Sequence, residues 1–231
     1  PTAPTADQIA RLMREAKAAD LIRLTVNQET IWQSAVPEIV CGLANVVLPP
    51  GGFLQAVASA QHVMAKLIVD ALPRRAKRAA DLFSGLGAFT FPLAEHLSVT
   101  AYDSDGPAIE ALKAAARSTA GIKPVVATQR NLFNMPLSRQ ELAPFDMVVF
   151  DPPRAGAKQQ ASMIAKAGVP VVVAVSCNPV TLARDIKLLL DARYVLKMIH
   201  AIDQFAYSTH VEALAVLWSA EHAQRNGPRV V

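Results

Sequence analysis

A chain of 231 residues with 52% hydrophobic content is long enough for one sizeable domain and too apolar to be disordered. Its formal net charge of +4 leans toward an anionic partner, but too weakly to identify one. No apolar run is long enough to span a bilayer, and the charged first residues lack a signal-peptide pattern. Cys41 and Cys177 are far apart in sequence and form neither a disulfide framework nor a metal cluster, so a reducing, cytoplasmic setting without a metal site is expected.

In chain order, residues 5–19 pattern as a helix, 21–26 and 35–40 as strands, and 55–71 as a longer helix. Leu48-Pro49-Pro50-Gly51-Gly52 is a turn-rich break that separates an amino-terminal appendage, 1–50, from a main domain at 51–220. The chain opens on proline rather than methionine, as a processed product or a piece of a longer protein does. Arg74-Arg75-Ala76-Lys77-Arg78 reads as a solvated loop ahead of a strand.

From Ala79 onward, apolar runs alternate with helical patterns. Strands are predicted at 78–82, 98–102, 124–128, 145–150, 169–175, 195–202 and 211–218. Helices are predicted at 88–96, 107–118, 158–167 and 179–191. This alternation predicts a parallel sheet covered on both faces. Only a loop joins the last two strands, which forces an antiparallel pairing at one edge. The expected fold is α/β, with the seven-stranded Rossmann-like sheet of class I methyltransferases. The tail 221–231 is polar and expected to fray.

Asp81-Leu82-Phe83-Ser84-Gly85-Leu86-Gly87 ends the first of these strands. Gly85 and Gly87 let backbone approach a ligand, and the helix start offers free N–H groups. A dinucleotide fold has such a loop too, but its third glycine is replaced here by Thr90, and Asp81 precedes the loop. A carboxylate there suits a cationic ligand, such as the methionine end of S-adenosylmethionine, better than a pyrophosphate. Asp103 ends the second strand, where an acid bonds a ribose diol, and Asn131 follows the third, within reach of an adenine. Turn chemistry is the competing reading for both.

Asp151-Pro152-Pro153-Arg154 follows the fourth strand. Its prolines stiffen the loop and hold Asp151 over the cleft. Enzymes that methylate exocyclic amines end a similar tetrapeptide with an aromatic residue; Arg154 argues against that chemistry here. Cys177 ends the fifth strand, with Asn178 as cap and Pro179 as first residue of the next helix. The adjoining macrodipole is expected to lower the thiol toward a thiolate; a buried structural cysteine is the alternative. Period-two alternation puts His210 and Glu212 on one face of the last strand, where an acid entering an apolar run is costly unless paired or functional. A thiol and a carboxylate beside a methyl donor suit carbon 5 of a pyrimidine: thiolate addition at carbon 6 activates carbon 5, and a base then removes its proton. Cys177 takes the first task, Glu212 the second, and Asp151 orients the uracil edge or the donor.

At these motifs the sequence resembles the RNA 5-methyluridine methyltransferases, cysteine-dependent enzymes acting on uridines in ribosomal or transfer RNA. The matching runs are DLFSGLGAFTFPLA from Asp81, FDPPRAGA from Phe150, VSCNPVTLARD from Val175 and DQFAYSTHVE from Asp203, with Phe53-Leu54-Gln55 similar to the family's Phe-x-Gln element. The resemblance implies Cys177 as nucleophile, Glu212 as base, and S-adenosylmethionine contacts from Gln55, Phe83, Asp103, Asn131 and Asp151. Ala56-Val57 lacks the asparagine often seen after that glutamine. Ala88, Asp103 and Ala206 stand where a polar residue, a glutamate and a proline are usual. Family members commonly carry an oligonucleotide-binding barrel, some with a four-cysteine iron–sulfur site. Neither is found here, and residues 1–50 are read as the remnant of a central RNA-recognition domain. A non-covalent methyltransferase of the same fold, acting on a small molecule or protein, is the alternative.

Overall fold

Short runs of valine, leucine and alanine separated by helices build the expected sheet. The computed structural model describes residues 4–27, 29–205, 207–208 and 210–226; Ala206 lies outside them. The central strands are β5 (Arg78–Leu82), β6 (Ser98–Asp103), β7 (Val125–Gln129), β8 (Met147–Phe150), β9 (Val171–Ser176), β10 (Val195–Ile202) and β11 (Glu212–Trp218). They form one seven-stranded sheet in the order β10-β11-β9-β8-β5-β6-β7. The strands β5 to β9 are mutually parallel, whereas β11 runs antiparallel to both β9 and β10. Every residue of β8 and β9 is buried, as expected of strands covered on both faces.

Helices supply that cover. On one face, α6 (Lys158–Ala167) and α7 (Pro179–Asp191) pack Ile164, Leu182, Ile186 and Leu189 against Leu82, Phe150, Val172 and Leu217. On the other, α2 (Ala58–Asp70) and α3 (Thr90–Ala94) pack Met64, Ile68 and Leu93 against Val99, Val149, Val173 and Leu214. Helix α4 (Gly106–Ser118) is opened by the Asp105 carboxylate, which accepts from the Ala108 N–H at 3.1 Å, and by Pro107.

The amino-terminal region holds more strand than its sequence suggests. After α1 (Ala6–Ala18) come two hairpins, β1 (Arg23–Val26) with β2 (Glu29–Gln33), and β3 (Glu38–Cys41) with β4 (Ala44–Val47). The strand expected at 35–40 starts only at Glu38, because Pro37 cannot donate to a ladder. Residues 1–50 divide: the β3–β4 hairpin buries Cys41, Ala44 and Val46 against Phe91, Ile109 and Leu112, within the core of the main body. The turn-rich stretch at 48–52 is thus no break in packing. Helix α2 starts at Ala58 rather than 55, which leaves Gln55 on the loop ahead of it. The helix expected at 88–96 shortens to α3, and α8 (Ala220–Asn226) takes in residues 221–226 of the expected fraying tail. A further short helix, α5 (Arg139–Leu142), is opened by a Ser138–Glu141 capping box.

The sheet direction separates two ends of the molecule. The basic run 74–78 enters β5 at its amino-terminal end, where Asp146 Oδ2 accepts from the Lys77 and Arg78 N–H groups at 2.8 and 3.1 Å. It is a connection, remote from the carboxyl ends of the strands. Those ends carry the glycine loop after β5 and the Asp-Pro-Pro-Arg loop after β8, at the point where strand order reverses.

Because Val46 is 0% exposed within the body's core, Val46→Ala is expected to lower unfolding stability by about 2 kcal/mol, the usual order for a truncated core side chain. A single urea transition, shifted as a whole, checks this; a separate early transition would detach the hairpin from the body.

Candidate active site

The glycine loop shapes one wall of a cavity of about 630 Å³. Phe83 adopts a left-handed φ of 63°, rare for a bulky residue, and turns its ring to the cavity. That ring lies 5.4 Å from the ring of Phe133. Gly85, at φ 52°, directs its N–H to Asp103 Oδ2 at 2.8 Å, and Asp103 Oδ1 accepts from Asp105 N–H at 2.8 Å. Asp103 is therefore held rigidly in the cavity wall by two backbone donors.

Three expected ligand contacts fall elsewhere. Asp81 is 1% exposed beneath the loop and does not line the cavity; its Oδ2 accepts from Thr90 Oγ1 at 2.6 Å. Burial, with the nearby Asp103 charge, pushes its carboxyl up to about 7 despite the Thr90 bond. Thr90, noted in sequence only as a missing glycine, is thus the partner that makes this burial tolerable. Gly87 is also behind the wall: at φ 92°, a Cβ there would come 2.8 Å from the Phe91 ring. Its glycine serves packing rather than ligand approach. Asn131 is exposed and turned to its own chain, its Oδ1 accepting from Phe133 N–H at 3.0 Å and Asn134 N–H at 3.3 Å. This is turn chemistry. The residue it delivers to the cavity is Phe133.

The Asp-Pro-Pro-Arg loop is clamped to the start of α7. Asn178 Nδ2 and Thr181 Oγ1 both donate to the Arg154 carbonyl, at 3.1 and 3.2 Å. Buried Asp185 accepts from the Ala157 N–H at 2.6 Å and from Arg184 Nε at 2.8 Å, while Arg184 Nη2 donates to the Ala155 carbonyl at 3.0 Å. Gly156, at φ 71°, lets the chain pass close: a Cβ there would meet Arg184 at 2.5 Å. Arg184 and Asp185 had no role assigned from sequence, although they sit in the quoted ValSerCys run. Asn178 caps α7 as expected, accepting from Val180 N–H at 3.1 Å.

Cys177 and Glu212 meet through sheet register. The β9–β11 ladder pairs Ser176 with Ala213, so one residue further sets Cys177 against Glu212, on the same face. Both line the cavity, with Asp151 and Gln55. Glu212 is 3% exposed, and its Oε2 accepts from Gln204 Nε2 at 2.7 Å. Gln204 Nε2 also donates to Gln55 Oε1 at 3.1 Å, and Gln55 Nε2 donates to Asp151 Oδ2 at 3.1 Å. Gln204 was missed from sequence; its place in the matching run Asp203 to Glu212 was the available signal. His210 lies in the loop before β11, its Nδ1 at 3.5 Å from Arg154 Nη2 and its ring against Phe205.

Charge in this cavity is crowded. Among the described residues, four carboxyl side chains line it (Asp103, Asp105, Asp151 and Glu212), against the single guanidinium of Arg154. Asp151 is pushed up to about 8 by burial, then by the Glu212 and Asp81 charges, with only the Gln55 bond opposing. Burial likewise raises Glu212, and Gln204 pulls it back. The expected lowering of Cys177 is overturned: burial, Glu212 and Asp151 raise the thiol and outweigh Arg154 and the local backbone bond. The wall therefore favours a cation. No group of three or more His, Cys, Asp or Glu side chains among the described residues could hold a metal ion, and no helix of the structure is long and apolar enough to cross a membrane.

Cys177 alkylation by iodoacetamide is expected to titrate above the usual thiol value of about 8.5. Asp151→Asn removes one anion from beside the sulfur and is expected to move that midpoint down. Cys41, 1% exposed and pushed up to about 11 by burial, reports separately. An unmoved midpoint in the variant would show that Asp151 does not act on the thiol.

Residues 47–220 match the family described as tRNA (Uracil-5-)-methyltransferase. An uncharacterised RNA methyltransferase of Mesorhizobium japonicum is 46% identical over 200 residues, covering 87% of this chain and 48% of that protein. The 23S rRNA (uracil(1939)-C(5))-methyltransferase RlmD of Thiobacillus denitrificans is 34% identical over 194 residues, covering 80% of this chain and 45% of that one. Among solved structures, the Pyrococcus abyssi tRNA (uracil-54, C5)-methyltransferase, in complex with S-adenosyl-L-homocysteine, superposes with a TM-score of 0.69 at 26% identity, covering 80% of this chain and 45% of that chain. The chain spans about half the length of the curated relatives it matches. With a match over three quarters of its length, the chain belongs to the tRNA (uracil-5-)-methyltransferase family.

Proposed function

We propose that this protein transfers a methyl group from S-adenosylmethionine to carbon 5 of a uridine in RNA, with Cys177 as nucleophile and Glu212 as base. The observation that carries this reading is the facing of Cys177 and Glu212 across β9 and β11 in the wall of one cavity with the glycine loop. Relatives named for ribosomal and for transfer RNA support RNA as the substrate and leave both classes as candidates.

The donor fits the residues present. The cavity carries an excess of carboxyls whose burial would be eased by a cation, and its Phe83–Phe133 pair offers an aromatic surface for an adenine. Gln55, Phe83, Asp103 and Asp151 would hold it; Asp81 and Gly87 would support the loop from behind, and Phe133 would take the place given to Asn131. S-adenosylmethionine, when bound, supplies an electrophilic methyl group on a sulfonium.

This chain's residues supply the rest. The Cys177 sulfur, once deprotonated, bonds to carbon 6 of the uracil, and the ring's electron pair moves to carbon 5 and the adjoining carbonyl as an enolate. After carbon 5 carries the methyl group, Glu212 takes the proton from carbon 5. That electron pair re-forms the double bond between carbons 5 and 6, and the sulfur leaves as a thiolate. A carboxyl raised by burial suits this task, because a base works best with a pKa nearer the operating pH. Arg154 lies in the wall as a cation that favours the thiolate.

RNA substituted with 5-fluorouridine is expected to trap a covalent protein–RNA adduct through Cys177, since fluorine cannot leave as a cation. Cys177→Ala is expected to abolish both adduct and turnover, and Glu212→Gln to accumulate methylated adduct on unmodified RNA. Gel retention under denaturing conditions, with mass spectrometry of the linked peptide, reads all three. Methylation that survives in Cys177→Ala would replace the covalent scheme with direct transfer.

A further inference from the structure

The proposed chemistry leaves the buried side chain of Gln204, in the cavity wall, without a task. Gln204 is 4% exposed, and burying a carboxamide is costly unless its hydrogen bonds are made. Its Nε2 donates to Glu212 Oε2 at 2.7 Å and to Gln55 Oε1 at 3.1 Å. Two acceptors on one amide nitrogen define its orientation, because the flipped amide would set its carbonyl oxygen against two oxygens. Gln55 then passes the line on to Asp151 at 3.1 Å. Four side chains from three separate segments thus form one continuous chain of hydrogen bonds, with a carboxyl at each end. The outer atoms, Gln204 Oε1 and Glu212 Oε1, are buried and make no hydrogen bond within the described residues.

We propose that Gln204 is a positioning residue: it fixes the Glu212 carboxylate by one oxygen, leaves the other to accept a proton, and through Gln55 couples that carboxylate to Asp151. This rests on the reading of Glu212 as base. The geometry divides the work of the two glutamate oxygens. Oε2 is spent on Gln204, so proton transfer falls to Oε1. A ligand that displaces Gln55 changes what Gln204 donates to, and so changes the hold on Glu212. His210 and Arg154 line the same cavity but neither donates to Glu212.

Gln204→Met keeps the length of the side chain and deletes the donor. Without RNA or methyl donor, ¹³C-carboxyl NMR of the 231-residue chain follows the Glu212 titration, its resonance identified by loss in Glu212→Gln. An N–H donor favours the charged carboxylate, so deleting it raises the midpoint, by about one pH unit for one charge-assisted hydrogen bond. Gln204→Glu, which sets an acceptor and a further negative charge against Glu212, is expected to raise the midpoint at least as far. Midpoints unmoved in both variants overturn the proposal. With RNA and donor, release of the methylated adduct in Gln204→Met is expected to slow about tenfold and its pH limb to move up with the NMR midpoint, adduct formation changing by less than about twofold. Equal slowing of both phases at an unchanged pH profile would reduce Gln204 to a packing residue. A wild-type chain that forms no adduct on any RNA sinks the uridine reading, while the titration still decides whether Gln204 holds Glu212.

Discussion

The antiparallel insertion of β11 between β9 and β10 is the constraint on which the site depends. The parallel strands β5 and β8 deliver the glycine loop and Asp151 to one end of the sheet by simple βαβ geometry. A sixth parallel strand would have brought its carboxyl end there as well. Instead β11 enters from that end, so its first residue, Glu212, faces the last residues of β9. Backbone pairing along Ser176–Ala213 then holds thiol and carboxylate in register without a direct bond between them. The loop before β11 adds Gln204 and His210 to the same wall.

That arrangement has an electrostatic cost. Asp81, Asp151 and Glu212 are all raised by burial; the Asp103 charge adds to the rise at Asp81, and the Glu212 and Asp81 charges add to that at Asp151. The protein meets the cost with uncharged donors: Thr90 for Asp81, Gln55 for Asp151 and Gln204 for Glu212. Neutral donors hold the carboxyls in place while leaving the field of the cavity negative. A lysine or arginine would have satisfied the same oxygens but removed the attraction for a cation. The proposed donor, with its sulfonium, is what such a field suits. The cysteine beside it bears the opposite consequence, since burial and then two carboxyls raise its thiol.

Around this core, rigidity comes from loop-to-helix stitching. The Asp-Pro-Pro-Arg loop is tied to α7 by Asn178, Thr181, Arg184 and Asp185, and Gly156 permits the close approach. Cys177 therefore sits between a strand and a capped helix whose start is bound to the loop carrying Asp151. Precise placement of reacting groups depends on such supporting bonds.

Much of the architecture was legible from the chain. Valine-rich runs separated by helical periods announced the parallel sheet, and the helix-free link before residue 211 announced the antiparallel pair. Cys177, Glu212, Asp151, Gly85 and Asp103 were named from local motifs, Gln55 and Phe83 from the family resemblance, and all reach one cavity. What misled were positions where local pattern underdetermines direction. Asp81 and Gly87 belong to the glycine loop, yet Thr90 and Phe91 draw them inward; Asn131 follows a strand end, yet its amide closes its own turn. The helix macrodipole suggested an activated thiol, but the dominant charges near Cys177 come from residues 26 and more positions away in sequence.

The sequence by itself determined the succession of strands and helices, the strand-end position of the thiol and the cap on α7, because periodicity, prolines and capping residues act within a few positions of chain. Only the tertiary structure decided which oxygen meets which nitrogen. The Glu212–Gln204–Gln55–Asp151 line joins residues up to 149 positions apart, and no local pattern encodes that contact. The same holds for the β3–β4 hairpin: its burial depends on apolar side chains from α4 that meet it only after the chain has folded back. Burial and charge are properties of an assembled environment, and so the sign of the shift at Cys177 could be read only once the sheet had closed around it.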